Sequence, residues 1–219
     1  MAETPSIDDV ARRIAEATGG FTGGRIDQFG EVGQKTLAAL KQAGLRKEHH
    51  LLDVGCGTLR LGYWLIRFLA PERYCGLEPK AHYIKAGLDY AIGPELAAQK
   101  RPRFDRNEQF DFSVFGVTFD FVVARSIFSH ASPEMVCRAL ESFRENSSEN
   151  GVMLASYRPL QKQHAGKRVF DEQGDGEWSW RQYGRLYLQE LARERGLEAR
   201  NFGKPFGGQV WLRVSKPLI

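Results

Sequence analysis

Apolar and polar positions along the chain follow two periods in turn, which predicts alternating strands and helices. Short continuous apolar runs that end at glycine or at a polar cluster predict buried strands. The predicted strands are His50–Val54, Tyr74–Leu77, Arg103–Asp105, Phe119–Ala124, Val152–Tyr157, Leu197–Phe202 and Val210–Val214, with a further extended stretch at Phe110–Phe115. Apolar residues every three or four positions predict amphipathic helices. These helices are one that Ser6 caps and Gly19-Gly20 ends, then Glu31–Gln42, Leu59–Leu69, Ala81–Ile92, Pro133–Arg144 and Tyr183–Arg195.

The order of these elements predicts an α/β fold with a doubly wound, mostly parallel seven-stranded sheet. Strands that alternate with helices over short loops form right-handed crossovers, which make neighbouring strands parallel. No helix separates the last two predicted strands, so we expect them to pair as an antiparallel C-terminal hairpin. The first two helices predict an N-terminal helical cap over residues 1–45, followed by one larger domain over 46–219.

Composition places the chain among globular proteins of a reducing compartment. It has 219 residues, 42% of them hydrophobic and 26% charged, with a formal net charge of +4. It contains no uncharged apolar run of about 18 residues, the length of a membrane span, and its first twenty residues lack the apolar core of a secretory signal. The three cysteines cannot all pair, which favours the cytoplasm. The densest basic run, Lys100–Arg106, is interrupted by proline and aspartate and is interpreted as a solvated loop.

The most informative segment is 51–60, where an apolar strand enters a Gly-x-Gly turn and then a helix. Such glycines let the backbone approach a ligand, and amides at the helix start are expected to point into the same crevice. A dinucleotide fingerprint requires a third glycine where Arg60 stands. Asp53 would repel a pyrophosphate by ~1–3 kcal/mol in a partly buried site, whereas the ammonium and sulfonium groups of S-adenosylmethionine would be attracted. Glu78 ends the second strand, where a carboxylate accepts both hydroxyls of a ribose.

This arrangement resembles the class I S-adenosylmethionine-dependent methyltransferases over roughly Leu51 to Val214. Leu52–Thr58 is similar to the family's first motif, Glu78 to its second and Phe119–Ser126 to its fourth. The resemblance implies that 46–219 is a Rossmann-like catalytic domain that binds S-adenosyl-L-methionine and ends in the antiparallel hairpin. The cofactor-binding residues that it implies are Asp53, Gly55, Cys56, Gly57, Leu59, Arg60, Glu78, Pro79, Asn107, Glu108, Ala124, Arg125 and Ser126.

The chain departs from the family pattern in two places. Leu59 stands where the family has its third glycine, and the next glycine is Gly62. The acidic residue that contacts the adenine is not fixed by the sequence either. Asn107-Glu108 or Asp111 could fill that role, and the spacing to the fourth motif favours Glu108.

Several classes of methyltransferase are disfavoured by motifs that the sequence lacks. The Asp/Asn-Pro-Pro-Tyr/Phe motif of base-flipping amine methyltransferases is replaced by Ala124–Ile127. No Pro-Cys dipeptide is present for cytosine-C5 chemistry, and no Cys/His spacing suits zinc. Adjacent His49 and His50 begin a strand, so their rings point to opposite faces and cannot chelate one metal ion. We therefore expect a small-molecule acceptor as the partner and neither a metal nor a membrane, and nucleic acid is a disfavoured partner.

Candidate acceptor-site residues follow the fourth strand and lie in the later excursion. His130 is the best candidate for a general base, since ligands bind at the carboxyl edge of such sheets; alternatively, it fixes its loop. Arg60 and Arg125 either bind a carboxylate of the cofactor or substrate or are simply solvated. Four aromatic residues form either an apolar acceptor pocket or a satellite core, namely Tyr157, Trp178, Trp180 and Tyr183. The glycine-flanked residues Phe21, Arg25 and Phe29 form either a mobile lid or a plain connector.

The leading functional hypothesis is methyl transfer to an oxygen or nitrogen of a small-molecule acceptor. The alternatives are an RNA- or protein-modifying methyltransferase and a non-catalytic module that only binds the cofactor. A nicotinamide oxidoreductase is disfavoured by Asp53 and Arg60. The sequence leaves the acceptor and the oligomeric state open.

Overall fold

Strands and helices alternate through most of the described chain. The computed structural model describes residues 5–20, 25–173 and 179–217, which cluster into two units. One unit ends at Glu108 and the other begins at Gln109. The predicted cap over 1–45 lies within the first unit, and its separation from 46–219 stays a prediction.

Three short parallel strands form the sheet of the first unit, in the order β3-β2-β1. These are β1 (Leu51–Val54), β2 (Tyr74–Leu77) and β3 (Arg103–Asp105). Every residue of β1 and β2 is buried, as expected for parallel strands covered on both faces. The helices of this unit are α1 (Ile7–Ala17), α2 (Phe29–Gln42), α3 (Gly62–Phe68), α4 (Ala81–Ala86) and α5 (Pro94–Lys100), with a 3₁₀ turn at Ile26–Gln28 and a π-helical segment at Gly87–Ile92.

The second unit is built around a long central strand. Its elements are β4 (Phe119–Ala124), α6 (Pro133–Asn146), β5 (Ser147–Pro159), β6 (Val169–Gln173), β7 (Ser179–Tyr183), α7 (Arg185–Arg193), β8 (Glu198–Phe206) and β9 (Gln209–Ser215), with 3₁₀ turns at Ser113–Phe115 and Lys162–His164. Strand β5 pairs in parallel with β4 and β7 and antiparallel with β9. Strands β8 and β9 form the predicted antiparallel C-terminal hairpin. The predicted α/β class with mostly parallel core strands is therefore confirmed.

Local capping explains two of the correctly predicted helices. The Ser6 hydroxyl accepts a hydrogen bond from the Asp9 amide at 3.2 Å and begins α1. The Ser132 hydroxyl accepts one from the Met135 amide at 3.3 Å and begins α6. Both serines precede apolar residues at helical spacing, which is why the sequence alone identifies these starts.

Other elements differ from the prediction. The expected extended stretch Phe110–Phe115 is wrong, because Asp111 accepts hydrogen bonds from the Ser113 amide and hydroxyl and so begins a 3₁₀ turn. The predicted helix Ala81–Ile92 changes to π-helical geometry at Gly87. Helix α5 and the β6–β7 hairpin were not predicted. Within the described ranges, no helix has both the length and the hydropathy needed to cross a bilayer.

Candidate functional site

The glycine loop after β1 is tied to the end of β2 by its own amides. Gly55 and Gly57 both have a positive φ, which glycine adopts without strain. The amides of Gly55 and Cys56 donate to the Leu77 carbonyl at 2.8 and 2.9 Å. The Gly57 amide donates to Oε2 of Glu78 at 3.1 Å. The amides of Gly55, Cys56 and Gly57 are therefore used within the protein and are not available to a phosphate.

Leu59, at the position of the family's third glycine, keeps the backbone conformation of a glycine. Its φ is 60°, in the left-handed region, and its side chain is fully buried. Two neighbouring glycines give this side chain its space. A Cβ on Gly87 would lie 2.6 Å from Cγ of Leu59 and 2.7 Å from the Thr58 carbonyl oxygen, and one on Gly62 would lie 3.0 Å from Cβ of Leu59. Leucine in the loop is thus matched by glycine on the helices that pack against it.

Two buried carboxyl groups lie at the carboxyl ends of the adjacent strands β1 and β2. Asp53 is 2% exposed, and its Oδ2 accepts a hydrogen bond from the Tyr74 hydroxyl at 2.8 Å. Burial raises the pKa of Asp53 to about 7, against the opposing effect of the Tyr74 hydrogen bond. Burial also raises the pKa of Glu78, although its Oε1 accepts a hydrogen bond from the Lys80 amide at 3.0 Å. A cationic ligand would stabilise both carboxylates in their charged form.

A buried hydroxyl in the same loop lacks a partner. Oγ1 of Thr58 forms no hydrogen bond within the described residues, and Thr58 is 1% exposed. Leaving a buried polar group unsatisfied costs ~1–3 kcal/mol, so a polar ligand atom here would be stabilising. Two carboxylates and an unsatisfied hydroxyl fit the charged and polar groups of S-adenosylmethionine.

The remaining loop side chains serve packing and anchoring. Burial raises the pKa of the Cys56 thiol well above its ordinary value, so this cysteine is a packing residue rather than a nucleophile. Arg60 is buried and donates to the carbonyl oxygens of Arg25, at 2.8 Å, and Phe29, at 3.4 Å. It is therefore not solvated, and it ties the glycine loop to the segment before α2. Of the predicted lid, Phe21 lies outside the described residues.

The loops after β2 and β3 bring further sequence candidates together. The Pro79 carbonyl accepts a hydrogen bond from Nε of Arg106 at 3.3 Å. Asn107 donates to Oδ1 of Asp105 through its amide and its side chain, at 2.8 and 2.9 Å, while Glu108 is exposed. Asp105, the last residue of β3, was missed by the sequence analysis. The available signal was that β1, β2 and β3 each carry an acid at or near their carboxyl end.

In the second unit, residues after β4 form a polar network with β5 and β9. Ala124 is buried as the last residue of β4, and Arg125 and Ser126 are partly exposed. Nη1 of Arg125 donates to the hydroxyls of Ser126 and Ser156, at 2.6 and 3.2 Å. Nε2 of Gln209 donates to the Ser126 hydroxyl at 2.9 Å. Arg125 is therefore held in place by hydroxyl groups rather than freely solvated.

The partly exposed His130 lies against the β6–β7 hairpin. Its ring centroid is 4.2 Å from that of Trp180, and Cζ of Arg158 lies 3.8 Å from the Trp180 ring on which it stacks. Tyr157 and Tyr183 are buried and their hydroxyls donate to Asn201 and to the Ala131 carbonyl, so these two belong to the core. Trp180 is partly exposed, and Trp178 lies outside the described residues.

Comparison with known proteins agrees with this fold. Residues 52–153 match a family model described as "Methyltransferase domain". The glycopeptide N-methyltransferase MtfA is 14% identical with a TM-score of 0.64, covering 84% of this chain and 90% of that one. Magnesium protoporphyrin IX methyltransferase (ChlM) from Synechocystis PCC 6803, with bound S-adenosylmethionine, is 14% identical with a TM-score of 0.63, covering 99% and 100%. A methyltransferase from Clostridium acetobutylicum ATCC 824 is 11% identical with a TM-score of 0.62, covering 84% and 90%.

Residues 52–153 are thus similar to a methyltransferase domain, and the fold of the chain is similar to that of solved S-adenosylmethionine-dependent methyltransferases. Comparison with curated protein sequences gives no significant match.

The backbone strain at Leu59 leads to a test with two substitutions. Both Leu59→Ala and Leu59→Gly remove a buried side chain and are expected to lower the free energy of unfolding by about 2–5 kcal/mol. Because φ is positive here, glycine should be the more stable of the two by about 1 kcal/mol, opposite to its usual order against alanine. Urea denaturation of both variants measures this difference, and an alanine variant at least as stable as the glycine variant would contradict it.

The raised pKa of Asp53 predicts a pH-dependent contribution to stability. Since its pKa rises from 3.8 to about 7 on folding, the folded state holds this proton more tightly than the unfolded state. Stability from this group is therefore present at low pH and falls as pH rises between those two values, by up to about 1.4 kcal/mol per pH unit. Asp53→Asn should abolish this slope. Denaturation of both proteins from pH 4 to 8 gives the difference, and a pH-independent difference would refute the assignment.

Proposed function

We propose that the protein transfers a methyl group from S-adenosylmethionine to an oxygen or nitrogen of a small-molecule acceptor. The observation that carries this proposal is the pair of buried carboxyl groups, Asp53 and Glu78, beside a glycine loop whose amides are already bonded within the protein. An anionic cofactor would meet two acids and occupied amides. A cationic nucleoside would be attracted by the negative charge of these two carboxylates.

The residues of the first unit bind and orient the cofactor. Glu78, whose two oxygens are oriented by the amides of Gly57 and Lys80, accepts hydrogen bonds from the ribose hydroxyls. Asp53 and Thr58 contact the amino-acid end, which supplies the positive charge and polar atoms that these groups require. Pro79 and the acids after β3 border the adenine. When bound, S-adenosylmethionine supplies an electrophilic methyl group on its sulfonium.

The residues of the second unit serve the acceptor. His130 takes the proton of an acceptor hydroxyl or amine, while Trp180 contacts the imidazole ring at a tilt of 42° and offers a partly exposed aromatic surface. If the reacting atom is already anionic, positioning alone is sufficient. Structural neighbours named for a glycopeptide and a porphyrin acceptor support a non-polymeric substrate. The free cysteines are consistent with a cytoplasmic location.

Cofactor binding is tested by isothermal calorimetry with S-adenosylmethionine and NADH. Glu78→Gln should weaken S-adenosylmethionine binding by ~1–3 kcal/mol, or roughly 5- to 150-fold, because it removes the charged acceptor of the ribose hydroxyls. The matched control is Glu95→Gln, an exposed glutamate in the first turn of α5, which should leave the affinity unchanged. Equal affinities of the Glu78 variant and the wild type, or tighter binding of NADH, would refute the site.

The acceptor class and the role of His130 are tested by S-adenosylhomocysteine release with pooled small phenols and amines, and separately with RNA and with protein. Release with the small molecules alone is expected. With an accepted compound, His130→Ala should reduce turnover by about 10²- to 10⁴-fold while cofactor affinity is retained. His164→Ala is the control, because His164 also stacks on an aromatic ring, that of Phe170. Release with RNA or protein instead, or with nothing, would replace the proposed function.

A further inference from the structure

The polar network after β4 holds one guanidinium group in a fixed orientation. Nη1 of Arg125 donates to two serine hydroxyls, and Cζ of Arg125 lies 5.7 Å from the Trp211 ring centroid. The turn between β8 and β9 approaches the same group, since a Cβ on Gly207 would lie 3.3 Å from Nη2. A side chain that is already oriented loses less conformational entropy when it binds a ligand.

The hydroxyl beside this guanidinium has a proton still to donate. Oγ of Ser126 accepts hydrogen bonds from Nη1 of Arg125 and from Nε2 of Gln209, and within the described residues it donates none. Ser156 is arranged differently, because its Oγ accepts from the Ser126 amide at 2.7 Å and donates to Oε1 of Gln209. A hydroxyl that accepts two hydrogen bonds is a polarised donor, and its proton is directed to whatever lies at this edge.

The backbone conformation at Ser126 is strained. Ser126 has φ 61°, which is strained for a residue with a side chain, and such strain accumulates at ligand sites. The groups beneath it, Ser156 and Gln209, are buried and bonded to each other, so they form a firm support. Both supporting groups are uncharged, and Ser156 orients Arg125 by accepting a hydrogen bond from its Nη1. On β5, Arg158 lies two residues beyond Ser156 and therefore on the same face of that strand, where it adds a second positive charge.

On the basis of the proposed function, we infer that the methyl acceptor carries an anionic group, a carboxylate or a phosphate, that is bound by the guanidinium of Arg125 and the hydroxyl of Ser126. A guanidinium and a neighbouring hydroxyl donor match the two oxygens of either anion. The aromatic surface of Trp180, between Arg158 and His130, suits the planar part of such an acceptor. Arg125 is thus a specificity-determining residue for the acceptor.

A purely structural role for Arg125 makes a different prediction. If the side chain only connects β4 with β5 and β9, its removal lowers stability and affects all acceptors equally. If it binds an anion, its removal affects charged acceptors and spares uncharged compounds of the same shape. The comparison between matched compounds therefore separates the two roles.

The experiment measures binding to the protein saturated with S-adenosylhomocysteine. The probes are small phenols and aromatic amines in matched sets of three. The members of a set carry a carboxylate, a phosphate monoester or an uncharged amide at the same position. Saturation-transfer NMR screens the probes for binding, and calorimetry measures the affinities. The wild-type protein should bind either the carboxylates or the phosphate monoesters, and it should not bind the corresponding amides. Which of the two anionic series binds shows whether the acceptor carries a carboxylate or a phosphate. Arg125→Gln should weaken this binding by about 10- to 100-fold, the loss expected for hydrogen bonds to a charged group.

Three further variants complete the design. Arg125→Lys should retain part of the affinity for the anionic probe, and Ser126→Ala should lose less affinity than Arg125→Gln. Arg193 is an exposed arginine at the end of α7, and the control variant Arg193→Gln should bind the probe as the wild type does. The inference is overturned if amides bind as well as anions, if no anionic probe binds, or if Arg125→Gln lowers the melting temperature and weakens all probes equally. Incubating the same probes with S-adenosylmethionine then shows which of them are methylated. If the amides are methylated, the inference about the anionic group fails while the proposed function stands. If the anions bind but no probe is methylated, the proposed function fails instead.

Discussion

The hydrogen bond between the Gly57 amide and Glu78 joins the two segments that form the candidate cofactor site. It fixes the glycine loop against the end of β2, and it orients a carboxylate that would otherwise turn toward solvent. The Leu77 carbonyl completes the connection by accepting from the amides of Gly55 and Cys56. Because these amides are used inside the protein, the charge presented to a ligand is that of the two carboxyl groups. Backbone and side chains of this loop are thus both consistent with the proposed cationic cofactor.

The same loop shows how a family pattern can be kept while one of its residues changes. A left-handed backbone at position 59 is required by the turn, and leucine adopts it although glycine would do so without strain. The energetic cost is offset by burial of the leucine side chain against Gly62 and Gly87. The change to π-helical geometry begins at Gly87, where any side chain would contact both Leu59 and the Thr58 carbonyl. Leu59 in the loop therefore depends on glycine at positions 62 and 87, where a side chain would crowd it.

The parts of the fold that the sequence predicts are those determined by neighbouring residues. The Ser6 and Ser132 caps and the fully apolar strands β1 and β2 depend on local chemistry, and these predictions agree with the structure. Asp53 and Glu78 were identified for the same reason, since each follows from its place at a strand end. Arg60 could not be placed in this way, because the carbonyl groups that bind it lie 31 and 35 residues earlier in the chain.

The β6–β7 hairpin was also beyond the sequence, and it controls the loop after β4. Its residues donate hydrogen bonds to three consecutive carbonyl groups of that loop. The Arg181 amide donates to the Ser129 carbonyl at 2.7 Å, and the Arg181 guanidinium donates to the His130 carbonyl. The Tyr183 hydroxyl donates to the Ala131 carbonyl at 2.7 Å. The Trp180 ring also lies against the His130 ring, at a tilt of 42°. The hairpin thus positions the candidate base, whereas the glycine loop is fixed by residues of the first unit. Substitutions in the hairpin would therefore change the surroundings of the candidate base without changing the residues of the glycine loop.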